Sequence, residues 1–432
     1  MEFDGMMISR LMEQASQRSL GVLERVGLYR CFTFYVAIWL SGVSVGVFND
    51  TGVQAAPVDE IVGLIPKLGA SDVGAVRDAE AALDRICIAA GSSGAESDRR
   101  ATVKALLGFL GADVPLQARL IVIEQVGRLG KYEAVTPLGR VLMDDESPRA
   151  REAARRALEH LPVVTVKRKL REALPKSTGR LRVGILRSLG IRRDFSGVQT
   201  IMETIEDPDP EVRLAAIEAL ARIGEISSKL VVEEALEGAQ GIEYQRVLRA
   251  YLRLGDSLVQ NSEKGTARRI YDRAMGLGRA AQCAALLGFA RAGLQSEVSR
   301  IVGYTTSDDP QVRGAALEAA GVMPGGRMTK AIVGKLNQTT EAELRESYLA
   351  VLAWRGDAAS VAKISSLSVE EQASVGRTVV QLAERHAAGE PGRVAKLLRT
   401  AGRLELDEAT AEKIGTLLQS LRANGVEAKP GG

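Results

Sequence analysis

Residues 207–224 read DPDPEVRLAAIEALARIG. Asp207, Pro208, Asp209 and Pro210 form a turn that a helix interior would not tolerate, because each proline lacks an amide hydrogen and clashes with the preceding turn. Glu211 then opens an amphipathic run and Gly224 closes it, which makes one capped helix of about three turns. On a helical wheel Val212, Ala215, Ala216, Ala219, Leu220 and Ile223 share one face, while Leu214, Ile217 and Ala221 make a second apolar side. Such a helix has to be covered on more than one flank, which neighbours of the same kind can do.

The same register recurs. Equivalent helix ends fall at Gly91, Gly130, Pro162, Gly190, Gly255, Gly293, Pro324 and Gly356, in steps of 28 to 39 residues. That is the length of a helix, a turn and a second helix. The six apolar positions map onto Ala79, Ala82, Leu83, Ile86, Cys87 and Ala90, then onto Ala118, Ile121, Val122, Gln125, Val126 and Leu129. They recur as Ala150, Ala153, Ala154, Ala157, Leu158 and Leu161, and as Val312, Ala315, Ala316, Ala319, Ala320 and Met323. Alanine at these positions lets neighbouring helices approach closely. Two steps are long: SSGAES at 92–97 reads as a flexible loop, and the stretch between Gly255 and Gly293 carries extra residues.

DPDPEVRLAAIEALARIG, DESPRAREAARRALEHLP and DDPQVRGAALEAAGVMP together resemble HEAT repeats, especially the short variety shared with phycobilisome lyases. The resemblance covers roughly residues 68–365. It implies that the arginine after each turn, here Arg151, Arg213 and Arg313, belongs to a structural ladder between repeats; a solvated arginine on the helix flank is the competing reading. Within ARRIYDRAM at 267–275, Ala267, Tyr271 and Ala274 also resemble the second helix of a tetratricopeptide unit.

A chain of 432 residues is too long for one ordinary core unless each unit touches only its neighbours. Aromatic residues make up 4%, so alanine and leucine are expected to fill the core. Cys31, Cys87 and Cys283 show no metal or disulfide spacing, and an inert buried thiol is expected at 87 and 283. From Cys31 to Phe48 the chain is uncharged, preceded by Arg25 and Arg30 and followed by Asp50, and Val53-Gln54-Ala55 offers small residues for a signal peptidase. A cleaved secretory signal is the expectation, with an uncleaved anchor and a buried cytosolic helix as alternatives; the charge-balanced lead also fits a start at Met12. Cleavage after about Ala55 would make the protein periplasmic or secreted, and an anchor would hold the solenoid outside the cytoplasm. The expected organisation is a lead with signal or anchor over 1–55, a linker over 56–67, a HEAT-like solenoid over 68–402, a capping helix over 403–425 and a disordered tail over 426–432.

No HExxH, paired CxxC, GxSxG, Walker loop or GxGxxG motif occurs, and His160 and His386 lie too many repeats apart to share a site. No catalytic, cofactor or metal residue is therefore assigned. Asn337-Gln338-Thr339 fits a glycosylation sequon, a match common by chance. Charge carries more information than motif. The net charge is +3, yet fourteen basic residues lie between Arg149 and Arg193 against Glu152, Glu159 and Glu172, and 201–240 reverses the sign. Mutual neutralisation across the stack is the plain reading. The sharper one makes Lys167, Arg168, Lys169, Arg171, Arg192 and Arg193 a basic patch for an acidic partner.

The expected protein is thus an all-α solenoid of stacked antiparallel helix pairs, a non-catalytic scaffold or adaptor for a protein partner, with no small-molecule substrate. The alternatives are a polyanion or nucleic-acid binder using 149–193, disfavoured by the scarcity of aromatics for base stacking, and an enzyme with a groove site. A membrane would be touched only through an uncleaved amino-terminal segment.

Overall fold

The Asp-Pro turn builds a helix start from local bonds alone. Asp209 is extended, at φ −78° and ψ 114°, and its carboxylate accepts the Glu211 amide at 2.9 Å, while Pro210 takes the first helical position, where a missing amide costs nothing. Gly224 closes the helix in the left-handed region at φ 73°. Asp309 repeats the cap before Pro310, accepting the amides of Gln311 and Val312, and Ser147 does so before Pro148.

The computed structural model describes residues 58–425, and these form 22 α-helices and no strand. In chain order they are α1 (Val58–Leu68), α2 (Val73–Ala90), α3 (Glu96–Leu107), α4 (Leu116–Leu129), α5 (Tyr132–Asp144), α6 (Pro148–His160), α7 (Val166–Ala173) and α8 (Gly179–Ile191). There follow α9 (Val198–Met202), α10 (Pro210–Ile223), α11 (Ser228–Gly238), α12 (Gly241–Gln260), α13 (Lys264–Ala274), α14 (Arg279–Arg291), α15 (Val298–Tyr304) and α16 (Pro310–Val322). The last are α17 (Gly326–Gln338), α18 (Ala342–Arg355), α19 (Ala358–Ser365), α20 (Val369–His386), α21 (Pro391–Ala401) and α22 (Glu408–Ala423). The signal or anchor expected before residue 56 and the tail from Val426 lie outside the described residues. Among the described residues, no helix is long and apolar enough to cross a membrane.

The even-numbered helices stack one on the next from α2 to α22, and the odd-numbered ones lie against them as a second row. The chain is an all-α solenoid. All nine apolar positions of α10 are buried, so its two apolar sides are both covered, one by its row and the other by its hairpin partners. The second row stacks on itself from α1 to α7 and from α15 to α19. Between those stretches its short helices rest chiefly on the first row.

Three sequence readings change. Residues 58–67 are not a linker: Ile61, Leu64, Ile65 and Leu68 are buried on one face of α1. Glu96 and Ser97, read as loop, open α3. Gly255 does not end a helix, since α12 runs through it to Gln260. A Cβ on Gly255 would stand 2.8 Å from the Tyr271 ring, and one on Gly288 would stand 2.5 Å from it. Both glycines are there to let α12 and α14 close on that ring. The turn after α12 is made instead at Ser262, with φ 69°.

Alanine and leucine fill most of the core, but Tyr251, Tyr271, Tyr348 and Phe289 are its largest fully buried side chains. Each buried hydroxyl has a partner: Tyr251 donates to Glu233 at 2.6 Å, Tyr271 donates to Asp256 at 2.8 Å, and Tyr348 meets Thr305 at 2.9 Å. Ala267 and Ala274 flank Tyr271 in the buried face of α13, and Phe289 meets its ring edge-on with centroids 5.6 Å apart.

Candidate partner-binding surface

An arginine on a helical solenoid has two uses: it can satisfy carbonyls that the ends of helices leave without partners, or it can present its charge to solvent. The 149–193 segment contains both kinds. Arg192, just beyond α8, donates to the carbonyls of Glu159 at 2.6 Å, Leu161 at 3.0 Å and Val163 at 2.6 Å, and so caps the end of α6. Burial pushes its pKa down, while Glu159 and Asp194 pull it up. Arg355 does the same for α16, donating to Ala320 at 2.7 Å, Met323 at 2.6 Å and Gly325 at 2.9 Å. Asn261 performs the task for α10 through the carbonyls of Ile223 and Gly224.

The other five residues of the expected patch divide by direction. Lys167 donates to the Arg193 carbonyl at 3.1 Å, and Arg171 pairs with the buried Asp194 at 2.7 Å; both face the next repeat. Lys169 lies against Gly139 in α5 and donates to Glu172 at 2.7 Å, facing the previous one. Arg193 sits in the left-handed region at φ 48° and donates to Gln260 at 3.0 Å and to Asn261. Arg168 is the residue of the six whose charge reaches solvent, with only a 3.8 Å contact to Glu172. The six hold a repeat boundary together more than they present a common face. Half of their acceptors are backbone carbonyls, 26 to 33 residues away, which carry no signature in a charge count.

The ladder between repeats also exists, on other arginines. Arg119 pairs with Asp145 at 2.8 Å, Arg182 with Asp207, Arg279 with Asp309 at 3.4 Å, Arg345 with Glu371 at 2.6 Å and Arg377 with Asp407 at 3.2 Å. Each runs from one unit to an acidic residue at the start of the next unit's helix. Arg213 and Arg313, expected as rungs, instead clasp their own turns through the carbonyls of Asp207 and Ser307. Arg151 buries its Nε without a partner. Burial pushes the Asp207 carboxyl up, but the Asp209 amide and the Arg182 guanidinium outweigh it and hold the carboxyl below its ordinary range. The acidic run that follows is spent in the same way: Glu211 and Glu218 pair with Arg246, Glu233 with Lys229, and Glu237 with Arg273.

Buried Cys87 has its thiol pushed up to about 12 by burial, with Asp84 adding to it, which leaves it protonated and unreactive. Half-buried Cys283 is raised by the same cause. His160 is exposed at the end of α6 with Nδ1 2.8 Å from the Arg156 carbonyl, and His386 packs at a tilt against Trp354 with ring centroids 4.7 Å apart. Among the described residues no cluster of three His, Cys, Asp or Glu is placed to hold a metal ion.

Two open cavities lie on the outer face of the first row. One, of about 890 Å³, spans α2, α4, α6 and α8 and is lined by Arg128, Arg149, Arg156 and Arg180 with Glu80, Glu124 and Glu152. The other, of about 410 Å³, lies between α10 and α12 and is lined by Arg222, Arg246, Arg249 and Arg253 with Glu218 and Asp256. Neither involves the six residues singled out from the sequence. The signal that could have found this face is helical spacing: Arg149 and Arg156, like Arg180 and Arg187, stand two turns apart on one side of a helix.

Residues 167–252 match the family described as HEAT repeats. No curated protein matches the chain. Among solved structures the chain is similar to importin beta, at 13% identity over 85% of this chain and 57% of that one, with a TM-score of 0.46. It is similar to Kap121p bound to Nup53p, at 12% identity over 86% of this chain and 52% of that one, with a TM-score of 0.41. It is also similar to human deoxyhypusine hydroxylase in complex with glycerol, at 16% identity over 69% of this chain and 99% of that one, with a TM-score of 0.28. The chain thus spans about half the length of the Kap121p chain. These likenesses fall below a TM-score of 0.5, so the architecture rests on the helices described above. The described chain is thus an all-α solenoid of stacked helix pairs, and residues 167–252 within it match HEAT repeats.

Proposed function

We propose that this protein is a non-catalytic scaffold that holds a protein partner along its solenoid, outside the cytoplasm. The observation that carries the reading is how the buried charged groups are used. Arg99, Arg155, Arg192 and Arg355 hold helix ends or neighbouring repeats, and Glu233 and Asp256 receive tyrosine hydroxyls. Buried charged groups also mark catalytic sites, but here each of these has a structural partner that occupies it. What the fold offers a ligand is a long, preorganised surface, which suits a macromolecule. The uncharged run at 31–48 supports the location.

The test is to fractionate cells, sequence the mature amino terminus, and identify crosslinked partners from the same fraction. A purified partner that co-elutes with the chain at fixed stoichiometry supports the scaffold. A full-length cytosolic product removes the export reading and leaves the scaffold to be judged on the partner alone. The second reading, a polyanion binder, is favoured by the exposed arginines and would show as salt-dependent retention on heparin with no protein partner.

A further inference from the structure

We propose that the exposed arginines of α6, α8, α10 and α12 form one strip that holds an extended acidic segment of the partner protein. The inference rests on the scaffold reading and names the chemistry of what that scaffold holds. Arg149, Arg156, Arg180, Arg187, Arg222 and Arg253 are all exposed. Arg156 has a carboxylate only at 4.0 Å, on Glu152, and the other five make no ion pair among the described residues. They contrast with Arg155, Arg182, Arg192 and Arg246 on or beside the same helices, which are spent, while exposed Arg249 in the smaller cavity is, like the six, without a close ion pair among the described residues.

The strip is continuous. Arg149, Arg156 and Arg180 line the larger cavity, and Arg222 and Arg253 line the smaller. Arg187 stands two turns beyond Arg180 on α8, and the Arg222 stem lies 3.4 Å from the Cβ position of Gly190 on the same helix. The carboxylates between them are occupied: Glu152 holds Arg155, Glu218 holds Arg246, and Asp256 receives the Tyr271 hydroxyl. They neutralise little of the strip, yet they break it into separate positive positions.

That pattern selects among anions. Stacked helices lie about 8–10 Å apart, and three residues of extended chain span about 10 Å. A segment with a carboxylate at every third residue therefore meets one arginine per helix and passes the intervening glutamates with uncharged residues. A nucleic acid strand has no such gaps in its charge, and no Phe, Tyr or Trp lines either cavity to stack a base. The guanidinium fork suits a carboxylate better than a lysine would.

The experiment measures fluorescence anisotropy with the full chain and three labelled probes: a peptide of about ten residues with glutamate at every third position, its isomer with the glutamates contiguous, and a single-stranded oligodeoxynucleotide of similar length. The spaced peptide should bind tightest, and at low salt the R180S/R187S/R222S variant should lose about tenfold in affinity, with R180K/R187K/R222K between it and the parent. An R168S/K169S variant should bind like the parent. Equal binding by the serine variant overturns the strip, as does tighter binding of the oligonucleotide or of the contiguous isomer. An unchanged melting temperature in the serine variant keeps its loss of affinity from being ascribed to unfolding. If a partner is recovered and the serine variant holds it as the parent does, the strip falls and the scaffold stands. If no partner is recovered but the spaced peptide reads the strip, the scaffold falls and the strip stands.

Discussion

Arg192 and Arg222 stand at corresponding ends of α8 and α10, yet they do opposite things. Arg192 reaches back across the repeat boundary and satisfies three carbonyls at the end of α6. Arg222 reaches outward and has no ion-pair partner among the described residues. The same contrast separates the 167–193 boundary from the strip over α6 to α12. Burying a guanidinium is worthwhile where helix ends leave carbonyl groups unpaired, because the alternative is an unsatisfied buried acceptor. An exposed guanidinium without an ion-pair partner contributes little to folding and is available to a ligand. Charge density in the sequence therefore marks where arginines are, while the carbonyl geometry decides which are used up.

The largest test of the contrast is to remove the arginines that are used. Arg355, with a side chain 4% exposed, should cost about 3 kcal/mol when replaced by alanine, because three carbonyls lose a charged donor. Arg192→Ala, at a less buried site, should cost about 2 kcal/mol on the same grounds. Urea unfolding followed by circular dichroism measures both, and a loss below that of a surface substitution would mean that the clasp is incidental. Next comes the ladder, where Asp207→Asn should cost about 1–2 kcal/mol at neutral pH. The Asp207 carboxyl is held below its ordinary range in the folded chain, so its contribution is complete above the unfolded value near 4 and is lost as pH falls through the lower folded value. The Asp207→Asn protein should accordingly lose stability less steeply than the parent on acidification below about pH 4.

What could be read in advance was what depends on near neighbours in sequence. Asp209, Pro210 and Gly224 act within one turn of themselves, and the buried face of α10 follows from helical spacing. The same spacing was present in α1, at Ile61, Leu64, Ile65 and Leu68, but it was short and interrupted by Pro66. Gly255 misled because glycine ends helices and also lets them pack closely; the ring that decides between the two arrives from Tyr271 on the next helix. The structural use of the basic residues at 167–193 is illegible in the sequence for a similar reason. A charge count does not separate Arg192 from Arg222 until the carbonyls of Glu159, Leu161 and Val163 are brought beside one of them, and those belong to the preceding unit.

A smaller test concerns the turns that both regions share. Arg193 after α8, Ser262 after α12 and Gly293 after α14 occupy the same left-handed position, with φ of 48°, 69° and 66°. In each, the following amide reaches back to the carbonyl of Leu189, Leu258 or Phe289. Ser262 is exposed there and keeps no side-chain hydrogen bond among the described residues, so Ser262→Gly should stabilise the chain by about 0.5–1 kcal/mol. Arg193→Gly should gain less or lose, because its donations to Gln260 and Asn261 offset the strain. A gain equal to that of Ser262→Gly would move Arg193 from the spent group to the idle one.

The smallest expected effect is the most discriminating. Arg180→Ser, Arg187→Ser and Arg222→Ser should each change stability by less than about 0.5 kcal/mol, since exposed charges without partners contribute little to folding. Removing like charges from one face could even stabilise it slightly at low salt, and added salt should erase that gain by screening. A loss of about 2 kcal/mol at any of the three, the size expected when a charged donor to buried carbonyls is removed, would show that the arginine is spent after all. It would then belong with Arg192, and the strip would lose one of its contacts for a partner. Near-neutral stability, measured on the proteins used for peptide binding, is the condition under which lost affinity can be assigned to the surface.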